Sequence, residues 1–306
     1  MKIVVTTPNF ARFTPEPIRQ LEDGGCRVVR IVPFRKEALL AEVTDADALI
    51  VALEKIDEEV LNAAKKLKVI AKHGAGTDNI DVTAAEKRGI AVKNAPGANA
   101  DAVADLTFGL MIALARSIPA ANTALKNGEW GRFEGVSVWG KTLGIVGLGA
   151  IGLAVARRAQ GFHMKILGCS KSPPKAGKES LGIVRVPLDD LLSQADFVTL
   201  HVPFTPQTEK MIGEDQLARM KPGAFLINTA RGGVVDEEAL HRALVGKRIA
   251  GAAMDVFAKE PPGASPLIGL DNVIATPHIG SLTVEALTNI SMITVKNVLE
   301  VLKGYG

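Results

Sequence analysis

Cysteine is scarce in this chain of 306 residues, which contains only Cys26 and Cys169. Two thiols so far apart in sequence give neither a disulfide framework nor the spacing of a metal site. We therefore expect no metal ion and a reducing compartment, the cytoplasm. An excess of one charge is also lacking, because the net charge is only +3 and no basic run occurs. This balance argues against a nucleic-acid partner.

Long apolar runs are missing as well. The run around residues 110–115 is much shorter than the about 20 residues that a membrane span requires. The apolar stretch after Met1 is too short for a signal peptide. We therefore expect no membrane partner. The chain does offer 47% hydrophobic and 23% charged residues, the balance of a globular protein with a large core. Its length predicts about two domains.

Short apolar, β-branched runs alternate with amphipathic stretches along the chain. This alternation predicts an α/β fold with parallel sheets that helices cover on both faces. One series of strands lies within residues 3–92, and a second, stronger series lies within residues 143–276. A turn-rich segment, 94–99, and a long apolar helix, 101–116, separate the two series. We place the domain change just before that helix.

A glycine-rich turn follows the first strand of the second series. Gly147-Leu148-Gly149-Ala150-Ile151-Gly152 fits the pattern G-x-G-x-x-G between a strand at 143–146 and a helical run at 151–160. The first glycine permits the tight turn, the second lets the backbone approach a pyrophosphate, and the third lets the helix pack on the strand. The helix N-terminus offers N–H groups to phosphates. This context predicts a dinucleotide site rather than a turn without a ligand.

The acidic residue that would hold the ribose hydroxyls of NAD is missing at the end of the next strand. That strand ends in Cys169-Ser170-Lys171-Ser172, and Lys175 and Lys178 make the following loop basic. A hydroxyl followed by a lysine leaves room and charge for the 2′-phosphate of NADP. We expect NADP(H) to be preferred to NAD(H). The alternative is that Ser170 binds the ribose of NAD and that the lysines form a solvated loop.

Polar residues follow three late strands of the second series. Arg231 follows one strand, Asp255 and then Glu260 follow another, and His278 follows the last. Because parallel strands end at the same edge of a sheet, these side chains are expected to converge. Arginine matches a carboxylate bidentately, and histidine can exchange a proton with a carbonyl oxygen. The set suits reversible reduction of a 2-oxo acid, although each residue alone has an ordinary structural explanation.

A second glycine loop, His73-Gly74-Ala75-Gly76-Thr77-Asp78-Asn79, ends a strand of the first series. Its exposed backbone N–H groups would suit an anionic carboxylate. The alternative is an ordinary tight turn between a strand and a helix. If Gly74, Ala75 and Gly76 bind substrate, the substrate lies between the two domains, where pockets often occur.

From about Leu49 onward, the chain resembles the D-isomer-specific 2-hydroxyacid dehydrogenases, the family of D-3-phosphoglycerate dehydrogenase and glyoxylate/hydroxypyruvate reductase. The resemblance rests on ordered blocks, namely Gly74-Ala75-Gly76-Thr77-Asp78-Asn79-Ile80-Asp81, Asn94-Ala95-Pro96-Gly97-Ala98-Asn99-Ala100, Gly140-Lys141-Thr142-Leu143-Gly144-Ile145-Val146-Gly147-Leu148-Gly149, His201-Val202-Pro203, Asn228-Thr229-Ala230-Arg231-Gly232-Gly233-Val234-Val235-Asp236, Asp255-Val256-Phe257, Glu260-Pro261 and Thr276-Pro277-His278-Ile279-Gly280.

The resemblance implies a role for each candidate residue. Arg231 would bind the substrate carboxylate and carbonyl, His278 would be the acid/base, and Glu260 would be its partner. Asp255 would lie near the nicotinamide carboxamide, and Arg231 and His278 would also contact the cofactor. The other implied contacts are Gly147, Gly149, Ala150, Ile151 and Gly152 at the pyrophosphate, Ser170, Lys171, His201, Val202, Pro203 and Thr208 at the adenosine, and Thr229, Ala230 and Gly280 at the nicotinamide.

The resemblance also implies an architecture. A Rossmann dinucleotide-binding domain would span residues 99–284, and a split, flavodoxin-like substrate domain would comprise residues 1–98 and 285–306. The family's homodimers form largely through the dinucleotide domain, with helices like the one at 101–116 at the interface. We therefore expect a homodimer that acts on a small 2-oxo or 2-hydroxy acid.

Two departures from the family bear on the substrate. Phosphoglycerate dehydrogenases usually carry an Arg-Ser segment where this chain has Ala52-Leu53-Glu54-Lys55. Because the sequence ends at Gly306, we also expect no C-terminal regulatory domain. We therefore expect glyoxylate or hydroxypyruvate as substrate, with 3-phosphoglycerate as the alternative. Under that alternative, a lysine such as Lys55 or Lys72 would supply the charge for the phosphate in place of the arginine. A rival of another class is an NAD(H)-sensing, corepressor-like protein. The presence of Arg231, Glu260 and His278 together weighs against it.

Overall fold

The computed structural model describes residues 1–171 and 181–304. These residues form an α/β fold with one parallel sheet of five strands and one of seven. The chain divides into two compact units, Met1–Asn99 with Ser281–Gly306, and Ala100–Gly280. The α/β fold with two parallel-sheet domains, predicted from the alternation of strands and helices, is confirmed. The boundaries proposed from the sequence, at 98/99 and 284/285, stay a prediction.

The sheet of the first unit has the strand order β2-β1-β3-β4-β5, the flavodoxin-like order. Its elements are β1 (Lys2–Val5), α1 (Glu16–Asp23), β2 (Arg27–Arg30), α2 (Lys36–Glu42), β3 (Ala48–Val51), α3 (Glu58–Ala63), β4 (Val69–Lys72), α4 (Val82–Lys87) and β5 (Ala91–Lys93). Every residue of β3 and β4 is buried. This burial explains why β3 is a continuous apolar run, and why β4 is one as far as Ala71, rather than alternating strands.

Aspartates fix where two helices of this unit begin. The Asp57 carboxylate accepts a hydrogen bond from Val60 N at the start of α3, and Asp81 accepts one from Ala84 N at the start of α4. Such caps satisfy N–H groups that have no partner inside the helix. The loops before α3 and α4 therefore have fixed ends, which matters because both loops follow central strands.

The second unit has the strand order β12-β11-β10-β9-β6-β7-β8. Its elements are α5 (Ala100–Ala115), α6 (Ile118–Lys126), β6 (Thr142–Val146), α7 (Ala150–Gly161), β7 (Lys165–Cys169), β8 (Ile183–Arg185), α8 (Leu188–Gln194), β9 (Phe197–Leu200), α9 (Glu214–Arg219), β10 (Phe225–Asn228), α10 (Glu237–Val245), β11 (Gly251–Met254) and β12 (Val273–Ala275). The order reverses between β6 and β9, as in a Rossmann fold, and ligands bind at such a switch point.

Helix α5 is a core element of the second unit, since ten of its 16 residues are buried. Arg158 of α7 donates hydrogen bonds to Asp101 and Asp105 on α5 at 3.0 and 2.7 Å, and these contacts hold the two helices together.

No single helix among the described residues is long and apolar enough to span a membrane. Helices α5 and α6 reach that length and apolarity only as a pair, bent by 64°.

The last helix, α11 (Val284–Lys303), belongs to the first unit. Val295, Val298 and Leu302 pack in one of the two cores that flank the sheet of that unit. The pattern of strands and helices did not show where this helix lies, and only the resemblance placed residues 285–306 in the substrate domain. Strand β8 was not predicted either, because it has three residues, lies at the sheet edge and is mostly exposed.

Candidate active site

The glycine-rich turn joins β6 to α7 and leaves no space for side chains at two of its positions. Gly147 has φ +101°, and a Cβ there would lie 2.4 Å from His201 O. A Cβ on Gly152 would lie 2.0 Å from Gly147 O. At Gly149, which precedes α7, a Cβ would meet nothing within 4 Å. The first helical turn, with Ala150 and Ile151, is therefore open to an approaching pyrophosphate, as a dinucleotide site requires.

The segment after β9 lies beside this turn, since His201 N donates to Val146 O at 2.7 Å. The buried Nδ1 atom of His201 has no hydrogen-bond partner among the described residues, while Nε2 lies 3.0 Å from Thr199 Oγ1. Burial lowers the pKa of His201 to about 3, so the ring is neutral. An enclosed polar atom without a partner fits a site completed by a ligand.

Val202, Pro203 and Thr208 form the next part of this segment. The Thr208 hydroxyl donates to Pro203 O at 2.7 Å and accepts a hydrogen bond from Thr205 N at 2.8 Å. These bonds close the loop after β9 into one local structure. The structure therefore brings the predicted adenosine-side residues of this loop together next to Gly147.

Ser170 and Lys171 follow β7 directly, and Gly147 N donates to Cys169 O at 2.8 Å. The end of β7 therefore adjoins the glycine-rich turn. Sequence reasoning did not include Arg185, whose Cα pairs with that of Gly168 in the register of β7 and β8. The missing signal was β8 itself, which was too short to predict. Lys175 and Lys178, also invoked for the 2′-phosphate, lie outside the described residues.

His278 and Glu260 form a hydrogen-bonded pair at the centre of the site. Nδ1 of His278 lies 2.7 Å from Oε2 of Glu260, and the other carboxylate oxygen accepts a hydrogen bond from Phe257 N at 3.1 Å. Burial alone would raise the pKa of Glu260. The bond to His278, the Phe257 N–H and the positive charge of Arg231 outweigh it, so this pKa lies below its ordinary value. Glu260 is therefore a carboxylate that orients the ring.

Arg231 reaches this centre because its neighbour is glycine. A Cβ on Gly232 would lie 1.8 Å from the carbonyl carbon of Phe257, so no other residue fits there. This close approach packs the turn after β10 against the loop that carries Glu260. The Arg231 Nη1 donates to Ala230 O at 2.8 Å, and Asn228 Nδ2 donates to Arg231 O at 3.0 Å.

Asp255 holds the loop that presents His278. The carboxylate is buried and accepts hydrogen bonds from Thr276 Oγ1 at 2.6 Å, Ile279 N at 2.8 Å and Gly280 N at 2.9 Å. His278 itself has φ +53°, a left-handed conformation that costs about 1–2 kcal/mol for a residue with a Cβ. The three bonds to Asp255 offset that strain and fix the direction of the imidazole.

Thr229 is oriented by a helix of the same unit. The Thr107 hydroxyl of α5 donates to Val103 O at 2.8 Å and lies 3.0 Å from Thr229 Oγ1. Because Thr107 has already used its only proton, Thr229 must be the donor between the two hydroxyls. The lone pairs of Thr229 are left to accept a hydrogen bond. Ala230 N, next in the chain, donates to Asn228 Oδ1 at 3.0 Å.

The glycine loop of the first unit follows β4. Gly74 has φ +152°, Ala95 N donates to Gly74 O at 2.9 Å, and Asn94 Nδ2 donates to Ala75 O at 2.5 Å. The backbone N–H groups of Ala75, Gly76 and Thr77 donate to no backbone acceptor within the described residues. Three successive donors of this kind suit an anion such as a carboxylate.

No group of three or more His, Cys, Asp or Glu side chains that could hold a metal ion occurs among the described residues. The polar side chains that the second unit brings together are instead Arg231, His278 and Glu260, in the same unit as the glycine-rich turn. This set can bind an anion, orient an imidazole and move one proton.

Comparisons with known proteins agree with this geometry. The NAD-binding domain of the D-isomer specific 2-hydroxyacid dehydrogenases matches residues 108–280. A D-3-phosphoglycerate dehydrogenase of Methanocaldococcus jannaschii is 47% identical over 99% of this chain and 58% of its own length. A glyoxylate reductase of Thermococcus litoralis is 46% identical over 87% of this chain and 83% of its own length. The chain thus spans little more than half of the first relative.

Solved structures show the same architecture along the whole chain. The TT0316 protein from Thermus thermophilus superposes with a TM-score of 0.90 at 38% identity, over 99% of this chain and 97% of that one. The resemblance noted in the sequence is therefore confirmed by the family match, by relatives and by fold. The chain belongs to the D-isomer specific 2-hydroxyacid dehydrogenase family.

Proposed function

We propose that the chain is an NAD(P)-dependent dehydrogenase that interconverts a small D-2-hydroxy acid and its 2-oxo acid. The observation that carries this proposal is the 2.7 Å contact between His278 Nδ1 and Glu260, beside the charge of Arg231. Family membership supports it, since the relatives include two kinds of 2-hydroxyacid dehydrogenase.

Each charged residue has a role in this reaction. Arg231 binds the substrate carboxylate with its planar fork. Glu260 accepts a hydrogen bond from Nδ1–H of His278, which leaves Nε2 to face the substrate oxygen. In the reducing direction Nε2 gives a proton to the C2 oxygen, and in the oxidising direction it takes that proton back. A bound nicotinamide supplies or accepts the hydride at C2. One hydride and one proton together convert the 2-oxo acid into the 2-hydroxy acid.

The second unit supplies the residues to hold the cofactor. We assign Gly147, Gly149, Ala150, Ile151 and Gly152 to the pyrophosphate, and Thr229, Ala230, Asp255 and Gly280 to the nicotinamide end. His201, Val202, Pro203 and Thr208 take the adenosine. Asp255 acts there mainly through the loop that it clamps, because its carboxylate already accepts three hydrogen bonds. Gly74, Ala75 and Gly76 of the first unit are proposed to bind the substrate carboxylate.

Glyoxylate or hydroxypyruvate is the proposed substrate, with 3-phosphoglycerate as the alternative. The absence of an arginine in the loop after β3 supports the smaller acids, while relatives carry both names. The test is a panel of 2-oxo acids with NADH and NADPH, read by loss of nicotinamide absorbance. Turnover of glyoxylate or hydroxypyruvate with a higher kcat/KM than 3-phosphohydroxypyruvate is expected. Binding of the cofactor without any turnover would instead favour the NAD(H)-sensing class.

NADP(H) is the proposed preferred cofactor. Ser170 stands where a carboxylate would repel the 2′-phosphate, and Lys171 adds a cation. Arg185, at the end of the neighbouring strand, strengthens the argument, because arginine is a better phosphate ligand than lysine. The sheet register brings its backbone next to Gly168, two residues before Ser170.

A homodimer in the cytoplasm is proposed. The segment that follows α5 carries large exposed apolar side chains: Trp130 is 92% and Trp139 is 61% exposed, and Ile118 and Leu125 are also exposed. Apolar side chains concentrated on one segment are typical of an interaction surface. Sedimentation of the purified chain should therefore give the mass of a dimer. The cytoplasmic assignment rests on the two unpaired cysteines.

A further inference from the structure

The loop that carries Glu260, residues 256–262, follows β11 and has little hydrogen bonding of its own. Its backbone makes no hydrogen bond to other backbone groups within residues 1–171 and 181–304. Phe257 is buried, but Ala258 and Lys259 are exposed. The position of Glu260 therefore depends on contacts that side chains make with this loop.

Two carboxylates satisfy the N–H groups at the start of the loop. Phe257 N donates to Oε1 of Glu260 itself at 3.1 Å, and Ala258 N donates to Oε1 of Glu237 at 2.6 Å. No other side chain among the described residues accepts a hydrogen bond from an N–H group of this loop. Glu237 is thus the acceptor that ties the loop to a different part of the chain, and hydrogen bonds to an ionised acceptor are the stronger kind.

Glu237 is held in place because it is the first residue of α10. The Asp236 carboxylate caps this helix by accepting hydrogen bonds from Glu238 N and Ala239 N, both at 3.1 Å. Asp236 also pairs with the Lys210 ammonium at 3.1 Å. A negative side chain in the first turn of a helix is favoured by the helix dipole. The acceptor for Ala258 N therefore stands on a capped helix end.

The segment that ends at Glu237 begins at Arg231, so one stretch of chain contacts the Glu260 loop twice. A short 3₁₀-helix, Gly232–Val234, joins the two residues, and its first glycine packs against the backbone of Phe257. The positive charge of Arg231 acts on Glu260 from one end of this segment, and the carboxylate of Glu237 holds the loop from the other. The segment therefore fixes Glu260 with respect to Arg231.

We propose that Glu237 is a positioning residue, which keeps Glu260 against Nδ1 of His278 by holding Ala258 N. The inference rests on the proposed function, in which His278 is the acid/base. Without Glu237, the N–H of Ala258 is released next to the N–H of Phe257 and competes for the Glu260 carboxylate. A carboxylate drawn toward Ala258 no longer orients the imidazole, and its charge no longer favours the imidazolium.

Three variants separate this role from a purely structural one. Glu237→Ala removes the acceptor for Ala258 N, whereas Glu237→Gln keeps an oxygen that can accept the same hydrogen bond. Glu238→Ala is the matched control, because it removes the same charge from the same helical turn at an exposed position. If Glu237 only favours the start of α10, then Glu237→Ala and Glu238→Ala have the same effect. The other charged groups on the loops after β10 and β11, namely Arg231, Asp255 and Lys259, are the same in all variants.

The first experiment measures kcat/KM with whichever 2-oxo acid the wild type reduces best. Glu237→Ala should lower it by about tenfold, equivalent to about 1.4 kcal/mol, without a change in cofactor affinity. Glu237→Gln and Glu238→Ala should stay within about threefold of the wild type. In a Glu260→Ala background, Glu237→Ala should cost less than about twofold, because no carboxylate remains to be positioned.

Three outcomes of this experiment would overturn the inference. The first is an equal loss in Glu237→Ala and Glu238→Ala, and the second is a loss in Glu237→Gln as large as that in Glu237→Ala. The third is a loss in Glu237→Ala that is the same with and without the Glu260 side chain.

A second experiment needs no turnover and so separates this inference from the proposed function. The imidazole of His278 is titrated by NMR in the protein without cofactor, its signal being assigned by its absence in His278→Gln. Glu237→Ala should lower the midpoint of the titration by about half a unit, a threefold loss of proton affinity, and Glu238→Ala should leave it unchanged. An unchanged midpoint in Glu237→Ala refutes the inference. A shifted midpoint in a protein that reduces no 2-oxo acid supports the role of Glu237 and counts against the proposed function alone.

Discussion

His73, at the end of β4, is a buried histidine whose protonation the fold opposes. Its Nε2 lies 2.9 Å from the hydroxyl of Ser291 on α11, and that hydroxyl donates to Leu287 O at 2.8 Å. Because Ser291 has used its proton, the imidazole must be the donor, so Nε2 carries hydrogen in the neutral ring. The ring of Phe10 packs edge-on at 6.0 Å. A second proton would place a charge among apolar groups.

The loss of free energy of unfolding at low pH can be worked out from the pKa of His73. Burial, opposed by a backbone hydrogen bond and aided by the positive charge of Lys72, lowers the pKa of His73 to about 4. The unfolded chain titrates near the ordinary value of about 6.5. Since the folded pKa is the lower one, its stabilising effect is present above the unfolded value and is lost as the pH falls toward the folded value. Between pH 7 and pH 5 the loss is about 2 kcal/mol.

The assay is urea unfolding followed by far-UV circular dichroism at pH 7 and pH 5. Tryptophan fluorescence would miss the relevant unit, because Trp130 and Trp139 both lie in the second one. The wild type is compared with His73→Gln, whose side-chain amide can still donate to Ser291 but cannot take up the proton. The control is His241→Gln on α10. Other titrating groups, including His201, contribute equally to the pH dependence of the wild type and of His73→Gln. Their contributions therefore cancel when the two are subtracted.

The wild type should lose about 2 kcal/mol more of its free energy of unfolding than His73→Gln when the pH falls from 7 to 5. His241→Gln should follow the wild type. Parallel pH profiles for the wild type and His73→Gln would refute the reasoning. They would mean that the folded protein accommodates the imidazolium, contrary to the burial and to the hydrogen bond with Ser291.

Three further predictions concern the site in the second unit. His278→Gln should lower kcat by about 10²–10⁴-fold with little change in cofactor affinity measured by fluorescence titration, and a kcat near that of the wild type would remove His278 from the mechanism. Arg231→Lys should not restore activity, because a point charge cannot replace the planar fork; steady-state kinetics with near-normal KM and kcat would contradict this. Ser170→Asp should lower kcat/KM with NADPH relative to NADH by about tenfold or more, and unchanged use of NADPH would count against the proposed 2′-phosphate site.

The sequence predicted those parts of the fold that depend on local pattern. The central strand β3 is apolar throughout, and β9 is apolar except for Thr199, because both faces of the sheets are covered. The alternation of such strands with helices made the parallel sheets predictable. The glycine-rich turn was predictable because Gly147 and Gly152 occupy positions where any Cβ would overlap backbone. Strand β8 was not predictable, because three residues at a sheet edge carry no periodic signal.

The site was predictable as a set of residues but not as a set of contacts. Parallel strands end at one edge, which is why Arg231, Glu260 and His278 could be named together from the sequence. The bonds from Asn79 to the backbone of Ala52 and Glu54 join residues about 25 positions apart and leave no pattern in the sequence. The hydroxyl pair of Thr107 and Thr229 is equally invisible, since it depends on how α5 packs against β10.

The clamp at Asp255 shows why the imidazole direction cannot be read from the motif alone. His278 adopts φ +53°, which an L-residue avoids unless the surroundings impose it. Three hydrogen bonds to one buried carboxylate impose it, two of them from the backbone N–H groups directly after His278. Glu260 then selects the rotation of the ring through Nδ1. Backbone direction and ring rotation thus have separate causes, so a variant at Asp255 should displace His278 as a whole, whereas a variant at Glu260 should only free the ring.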